Sequence, residues 1–244
     1  MTLDIAIIIV GALIGVVSLA STITGIWLTV KYYRFNRREN TLGLSGIDIA
    51  RKILDANGLE KIKVKRSGSL LFGNSYSHYF KVVRLRGFIR NQKSITSVGI
   101  GAQKAALAIL DKEGDSDMRK RVRLAPIISL GPFAFIPLIT VGALLDYFMF
   151  GGSGYCTIIL GALGLLFYTY SVVLAVLTLK TEKKAQNRAY EILKNDYKIT
   201  DDELSALKEV FRLYNIQYVN DIILSSLELI YTVLKIANTI SDKK

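Results

Sequence analysis

One histidine (His78), one cysteine (Cys156) and three prolines are all that 244 residues contain of these types. No pair of imidazoles or thiolates can be assembled within one chain, so zinc sites built from Cys and His are excluded by count. A Ser-His-Asp arrangement would have to use His78, and no G-x-S-x-G turn accompanies it. A lone cysteine closes no internal disulfide and says nothing about an oxidising compartment. Acidic residues are also scarce: 20 Asp and Glu stand against 32 Lys and Arg, a net charge of +12.

That charge coexists with a positive mean hydropathy, and position explains both. Three apolar runs, Ile5 to Val30, Leu124 to Phe150 and Tyr155 to Leu179, each reach the roughly 20 residues a helix needs to cross the hydrocarbon core. Lys31, Arg34, Arg37 and Arg38 follow the first run; Arg119, Lys120, Arg121 and Arg123 precede the second. Lys180, Lys183, Lys184 and Arg188 follow the third, and the turn joining the second and third carries no charge. All basic clusters fall on one side, which the positive-inside rule makes cytoplasmic and which puts the N-terminus outside. A cleaved signal peptide would need a basic n-region before the first run, where the sequence has only Asp4. Basic anchors against anionic headgroups account for the high charge, so no nucleic-acid partner is expected. The expected fold is mostly α: a multi-pass α-helical membrane protein of three to four spans, in the cell membrane, with the lipid bilayer as its first partner.

Residues 1–35 hold the first span and residues 36–123 a small cytoplasmic α+β insert. Ser45 and Asp48 form a capping box, Ile47, Ala50 and Leu54 recur at helical spacing, and Gly58 supplies a stop. Lys61 to Lys65 and Tyr79 to Leu85 read as strands, and 94–111 as a helix rich in small residues. Residues 124–179 form a transmembrane hairpin, whose first element, the second span, holds all three prolines (Pro126, Pro132 and Pro137) and is expected to bend or unwind. The third run should stay helical to about Lys194. Residues 180–215 are cytoplasmic helices, one opened by the capping box Thr200/Glu203. Residues 216–244 are apolar except for Asp221, Glu228 and Lys235, whose seven-residue spacing makes one polar stripe. This last segment is either a fourth span packed by its stripe or an interfacial helix.

Several stretches carry a resemblance. Gly43 to Leu59 reads GLSGIDIARKILDANGL, Ser77-His78-Tyr79 is followed by KVVRL from Lys81, and Thr181 to Ala189 reads TEKKAQNRA. With the segment Ser94 to Ile109, these resemble the YugP-like neutral zinc metallopeptidases of bacterial membranes, co-linearly from about Thr41 to Lys194. Ser77 and Phe80 replace carboxylates of that family's pattern, and about two residues are missing after Tyr79. The resemblance implies a zinc peptidase fold with a His-Glu-x-x-His helix, metal ligands at positions 103 and 107, a presumed third ligand at 182 and a general base at 104. This chain has Gln103, Leu107, Glu182 and Lys104 there, and Lys184 two residues after the third position. An amide, an aliphatic chain and one carboxylate do not hold zinc, and an ammonium does not take a proton from metal-bound water. No metal, cofactor or catalytic residue is therefore expected, although the family implies zinc.

The reading that follows is a catalytically silent pseudopeptidase that binds or scaffolds a membrane-protein partner or an active paralogue at the cytoplasmic face. Two alternatives stand beside it: an active zinc peptidase with rearranged or partner-supplied ligands, and a structural subunit of a membrane complex. Charge supplies a local expectation. With no cation to neutralise it, a partly enclosed Glu182 is costly, so Lys104 or Lys184 should lie within salt-bridge distance of it.

Overall fold

Capping chemistry fixes where several of the helices begin. The computed structural model describes residues 3–68, 73–128 and 131–241. Its elements are α1 (Leu3–Asn36), α2 (Gly46–Ala56), β1 (Lys63–Arg66), β2 (Ser75–Ser77), β3 (Val82–Leu85), α3 (Gly87–Asn91), α4 (Ile95–Lys112), α5 (Ser116–Ile128), α6 (Gly131–Met149), α7 (Tyr155–Asn195) and α8 (Asp201–Ser241). The fold is mostly helical with one small sheet. At the start of α2, the Ser45 hydroxyl accepts from the Asp48 amide while the Asp48 carboxylate accepts from the Ser45 amide. Gly58, with φ at +65°, takes the left-handed conformation that ends this helix. Thr200 and Glu203 make the same reciprocal bonds ahead of α8.

The described chain divides into two compact units. One contains residues 23–122 and 179–217, and α4 is its axis: every residue from Ile95 to Ile109 is buried. That burial needs close backbone approach, and glycine provides it. A Cβ on Gly101 would lie 2.4 Å from the Gly46 carbonyl oxygen, and one on Gly46 would lie 2.0 Å from that of Ile89. On another side Gly99 receives Leu207 of α8. The sheet has the order β1-β3-β2, with Lys63 to Arg66 parallel to Val82 to Leu85 and Ser75 to Ser77 antiparallel to β3. Residues 36–123 thus do not make this unit alone, because the end of α7 and the start of α8 complete its core.

The other unit gathers the start of α1, residues 123–178 and the end of α8. Its surface is apolar: Ile8, Val16, Ile136, Ile158 and Leu166 are each at least two-thirds exposed. Among the described residues, α1 and α7 are long and apolar enough to cross a membrane, and Ala134–Met149 is a shorter apolar helix. Asp146 accepts from the Cys156 and Thr157 amides and so caps α7. The α8 stripe meets partners: Ser21 donates to Asp221 at 3.3 Å, Tyr168 to Glu228 at 3.1 Å, and Lys235 lies 5.2 Å from the Tyr231 ring centroid.

Some element bounds differ from those expected. The helix that carries Leu124 starts earlier, at Ser116, as α5, and α6 begins at Gly131; residues 129–130 lie outside the described residues. Pro137 sits within α6. Helix α8 runs unbroken through 215/216, and the division between the two units falls after Gln217. Strand β2 and the short α3 were not anticipated: three and five residues are too few to show a period.

Substitution should report the packing directly. Gly101→Ala should cost about 1–3 kcal/mol through overpacking against backbone that has no room to yield. Gly99→Ala should cost less, since the Leu207 side chain can rotate away, and Gly68→Ala, where nothing lies within 4 Å, should be close to neutral. Thermal unfolding of the three purified variants checks the order.

Candidate functional site

A lysine buried inside a helix that is itself buried on all sides demands a counter-charge, and α4 contains one. Lys104 is 8 % exposed and its neighbour Gln103 6 %. Both reach Glu182 of α7: Lys104 Nζ lies 2.8 Å from Glu182 Oε2, and Gln103 Nε2 donates to the same oxygen at 2.9 Å. The other oxygen is occupied as well, by Arg121 of α5, whose Nη1 lies 3.1 Å from Oε1 and also donates to the Thr181 hydroxyl. One carboxylate thus receives two cations and an amide. Burial pushes the Glu182 carboxyl up, but the Lys104 ammonium and the Arg121 guanidinium pull harder and hold it below its ordinary value.

The counter-ion expected for Glu182 is therefore Lys104, and Lys184 goes elsewhere. Two residues along a helix turn the side chain by roughly 200°, so Glu182 and Lys184 point in nearly opposite directions. Lys184 Nζ bridges Asp115 and Asp117 at 2.6 and 2.7 Å, and Lys180, one turn earlier on the same face, adds a 3.1 Å contact to Asp117. The hydrogen bonds that the Lys184 ammonium donates to Asp115 and Asp117 raise its pKa. Leu107 is fully buried in the core and offers no polar atom to the cluster. Positions 103, 104 and 182 are brought together; 107 and 184 are not part of the same polar contact.

Arg121, Asp115 and Asp117 were missed by the sequence reading. Arg121 lies in a basic cluster read as a membrane anchor, and the helix that carries it, α5, starts eight residues before the apolar run that begins at Leu124. No local pattern separates a lysine or arginine that turns inward from one that faces headgroups.

This donor set does not fit zinc. Among the described residues no group of three or more His, Cys, Asp or Glu side chains converges. The single carboxylate at the three ligand positions already has both oxygens filled by positively charged or amide donors. A divalent cation placed on Glu182 would stand beside an ammonium and a guanidinium that already neutralise it.

Comparison with known proteins places this geometry in a lineage. Residues 8–237 match the family described as "putative neutral zinc metallopeptidase", and the chain belongs to that family. It is 24 % identical over 207 residues to a Bacillus subtilis protein named "Putative membrane protease YugP", covering 85 % of this chain and 87 % of that one. No solved structure matches.

The pairing predicts a non-additive mutational cycle. Lys104→Met alone should cost ~2 kcal/mol, less than a fully buried pair because Arg121 remains on the carboxylate. Adding Glu182→Gln should recover part of that loss, with a coupling of about 1 kcal/mol or more. Because the carboxyl is depressed in the folded state, its stabilisation is present above the ordinary carboxylate range and disappears as pH falls through the lowered value. The coupling measured by thermal unfolding should accordingly vanish in acid.

Proposed function

We propose that this member of the zinc metallopeptidase family is a catalytically silent membrane protein that acts by binding, holding a membrane-protein partner or an active paralogue at the cytoplasmic face. One observation carries the reading: at the position where the family resemblance implies a metal, the Glu182 carboxylate is closed off by Lys104, Gln103 and Arg121. Hydrolysis needs a bound water made nucleophilic, and a general base to take its proton. Lys104 Nζ donates to Glu182, and no second carboxylate touches the cluster among the described residues. What remains is an ordered polar junction tying α4, α5 and α7 together, suited to presenting a fixed surface.

The membrane setting is supported by the exposed apolar sides of α1 and α7 and by a relative named as a membrane protease. We place three to four spans in the bilayer, with residues 36–123 and 180–215 cytoplasmic and the turn at Gly151–Gly154 outside. The contacts of Asp221 with Ser21 and of Glu228 with Tyr168 favour the end of α8 as a fourth, packed span over a helix lying flat.

Two measurements test this. Protein purified in detergent should contain far less than one zinc per chain, should keep its melting midpoint in chelator and should not hydrolyse peptides; near-stoichiometric zinc that Glu182→Gln removes would overturn the silent reading. In a Cys156→Ser background, a membrane-impermeant maleimide should label Ser153→Cys on intact cells and leave Glu60→Cys unlabelled until the membrane is opened. The reverse pattern would invert the topology.

A further inference from the structure

The second polar cluster on α4 lies one to two turns beyond Lys104, and it is built differently. Ala108, Asp111 and Lys112 share a helix face by their spacing. They line a cleft of about 430 Å³ together with residues 58–62 and Tyr76, His78 and Lys81. That volume lies within the roughly 300–1,000 Å³ range of small-ligand sites. At its wall Asp111 is nearly buried, with its side chain 8 % exposed. The Tyr76 hydroxyl donates to Asp111 Oδ2 at 2.6 Å, and His78 Nδ1 lies 2.7 Å from the same oxygen. Burial raises the Asp111 carboxyl, but the hydrogen bonds from Tyr76 and His78 outweigh it and keep it ionised. An ionised carboxylate only accepts, so His78 carries its proton on Nδ1, and Nε2 is the atom left for another partner.

The remaining polar lining is mainly cationic. Lys61 engages no acceptor among the described residues. Lys112 Nζ spends one of its three donors on the Asn57 carbonyl, at 2.6 Å. Lys81 stands 3.5 Å from Asp111 and its side chain is half exposed. Its backbone is in the left-handed region, with φ at 45°, a conformation that favours glycine or asparagine at a turn of this kind. A lysine kept there is held beside His78 at a conformational cost. Against these cations Asp111 is already engaged by its own partners, and Glu60 is the one further carboxylate lining the cleft.

We propose that this cleft binds an oxyanion, a phosphoryl or carboxylate group, through the ammonium groups of Lys61, Lys81 and Lys112, with the His78 ring at their side. Asp111 and Tyr76 are positioning residues that fix the imidazole ring. The charge of the lining selects the ligand class, since an anion between several ammonium groups gains charge-assisted hydrogen bonds that a neutral ligand does not. The site is independent of the Glu182 cluster, so it stands or falls apart from the silent-peptidase reading.

His78 is the sole histidine, which makes its ring signals an unambiguous nuclear magnetic resonance probe in the full-length, ¹⁵N-histidine-labelled protein. Titration with inorganic phosphate, phosphoserine or trialanine should shift those signals saturably, while chloride at matched ionic strength should not. A response to the phosphates alone identifies a phosphoryl ligand, and a response to trialanine but not to its C-terminal amide identifies a chain-terminal carboxylate; either supports the site. Lys81→Gln should weaken binding about tenfold, and Lys183→Gln, on the exposed surface of α7, should leave it unchanged. Asp111→Asn should shift the ring tautomer reported by the two nitrogen frequencies, an effect that loss of stability alone would not produce. The proposal is overturned if no oxyanion shifts the signals, if chloride shifts them equally, or if a folded Lys61→Gln/Lys81→Gln variant binds as well as the parent.

Discussion

A carboxylate removed from water must be neutralised where it stands, and Glu182 sets the terms for its surroundings. Its side chain is 15 % exposed and the Lys104 side chain 10 %, so neither group is hydrated freely. Removing Glu182 strands the Lys104 ammonium, and removing Lys104 leaves the carboxylate to Arg121 and Gln103, whereas together they satisfy both oxygens. The interaction therefore adds little net stability compared with an apolar filling, but it makes the three helices interdependent. Such a junction resists drift by single steps, because each intermediate leaves a buried charge with fewer partners.

The arrangement depends on how closely α4 is enclosed. Gly46, Gly99 and Gly101 let backbone and Leu207 approach until every residue from Ile95 to Ile109 is buried. In a looser core, Lys104 could extend its four-carbon stem to solvent and Glu182 could remain hydrated. Close packing removes that escape and forces the charges to pair. The closed charge cluster thus depends on glycine spacing as much as on the identity of residue 104.

Much of this was legible in the sequence where local rules decide. Capping boxes at Ser45/Asp48 and Thr200/Glu203, the stop at Gly58 and the reach of α7 to Asn195 follow from side chains that act on their own backbone. The pairing of Glu182 with an ammonium was legible because desolvation requires it, whichever helix delivers it. The choice between Lys104 and Lys184 was not, although the roughly 200° between positions 182 and 184 contained the answer once both were placed on one helix. Arg121 and the Asp111–His78 contact were invisible for another reason: they join positions 61 and 33 residues from their partners, and only the fold brings them together.

The two clusters on α4 differ in what they leave undone. At Lys104 every charge is answered from within the chain, and the carboxylate is surrounded. At His78 the carboxylate is also surrounded, but by a tyrosine and an imidazole whose second nitrogen is unused, with lysines standing nearby. In a buried site, closure costs least when complete; at the edge of a cleft, water tolerates an unfinished set of donors. A group that has satisfied itself has nothing left to offer a ligand, so binding belongs where the donors are unfinished. The helix that resembles a metal-binding element thus keeps its structural charge at the centre and its binding capacity toward its C-terminal end.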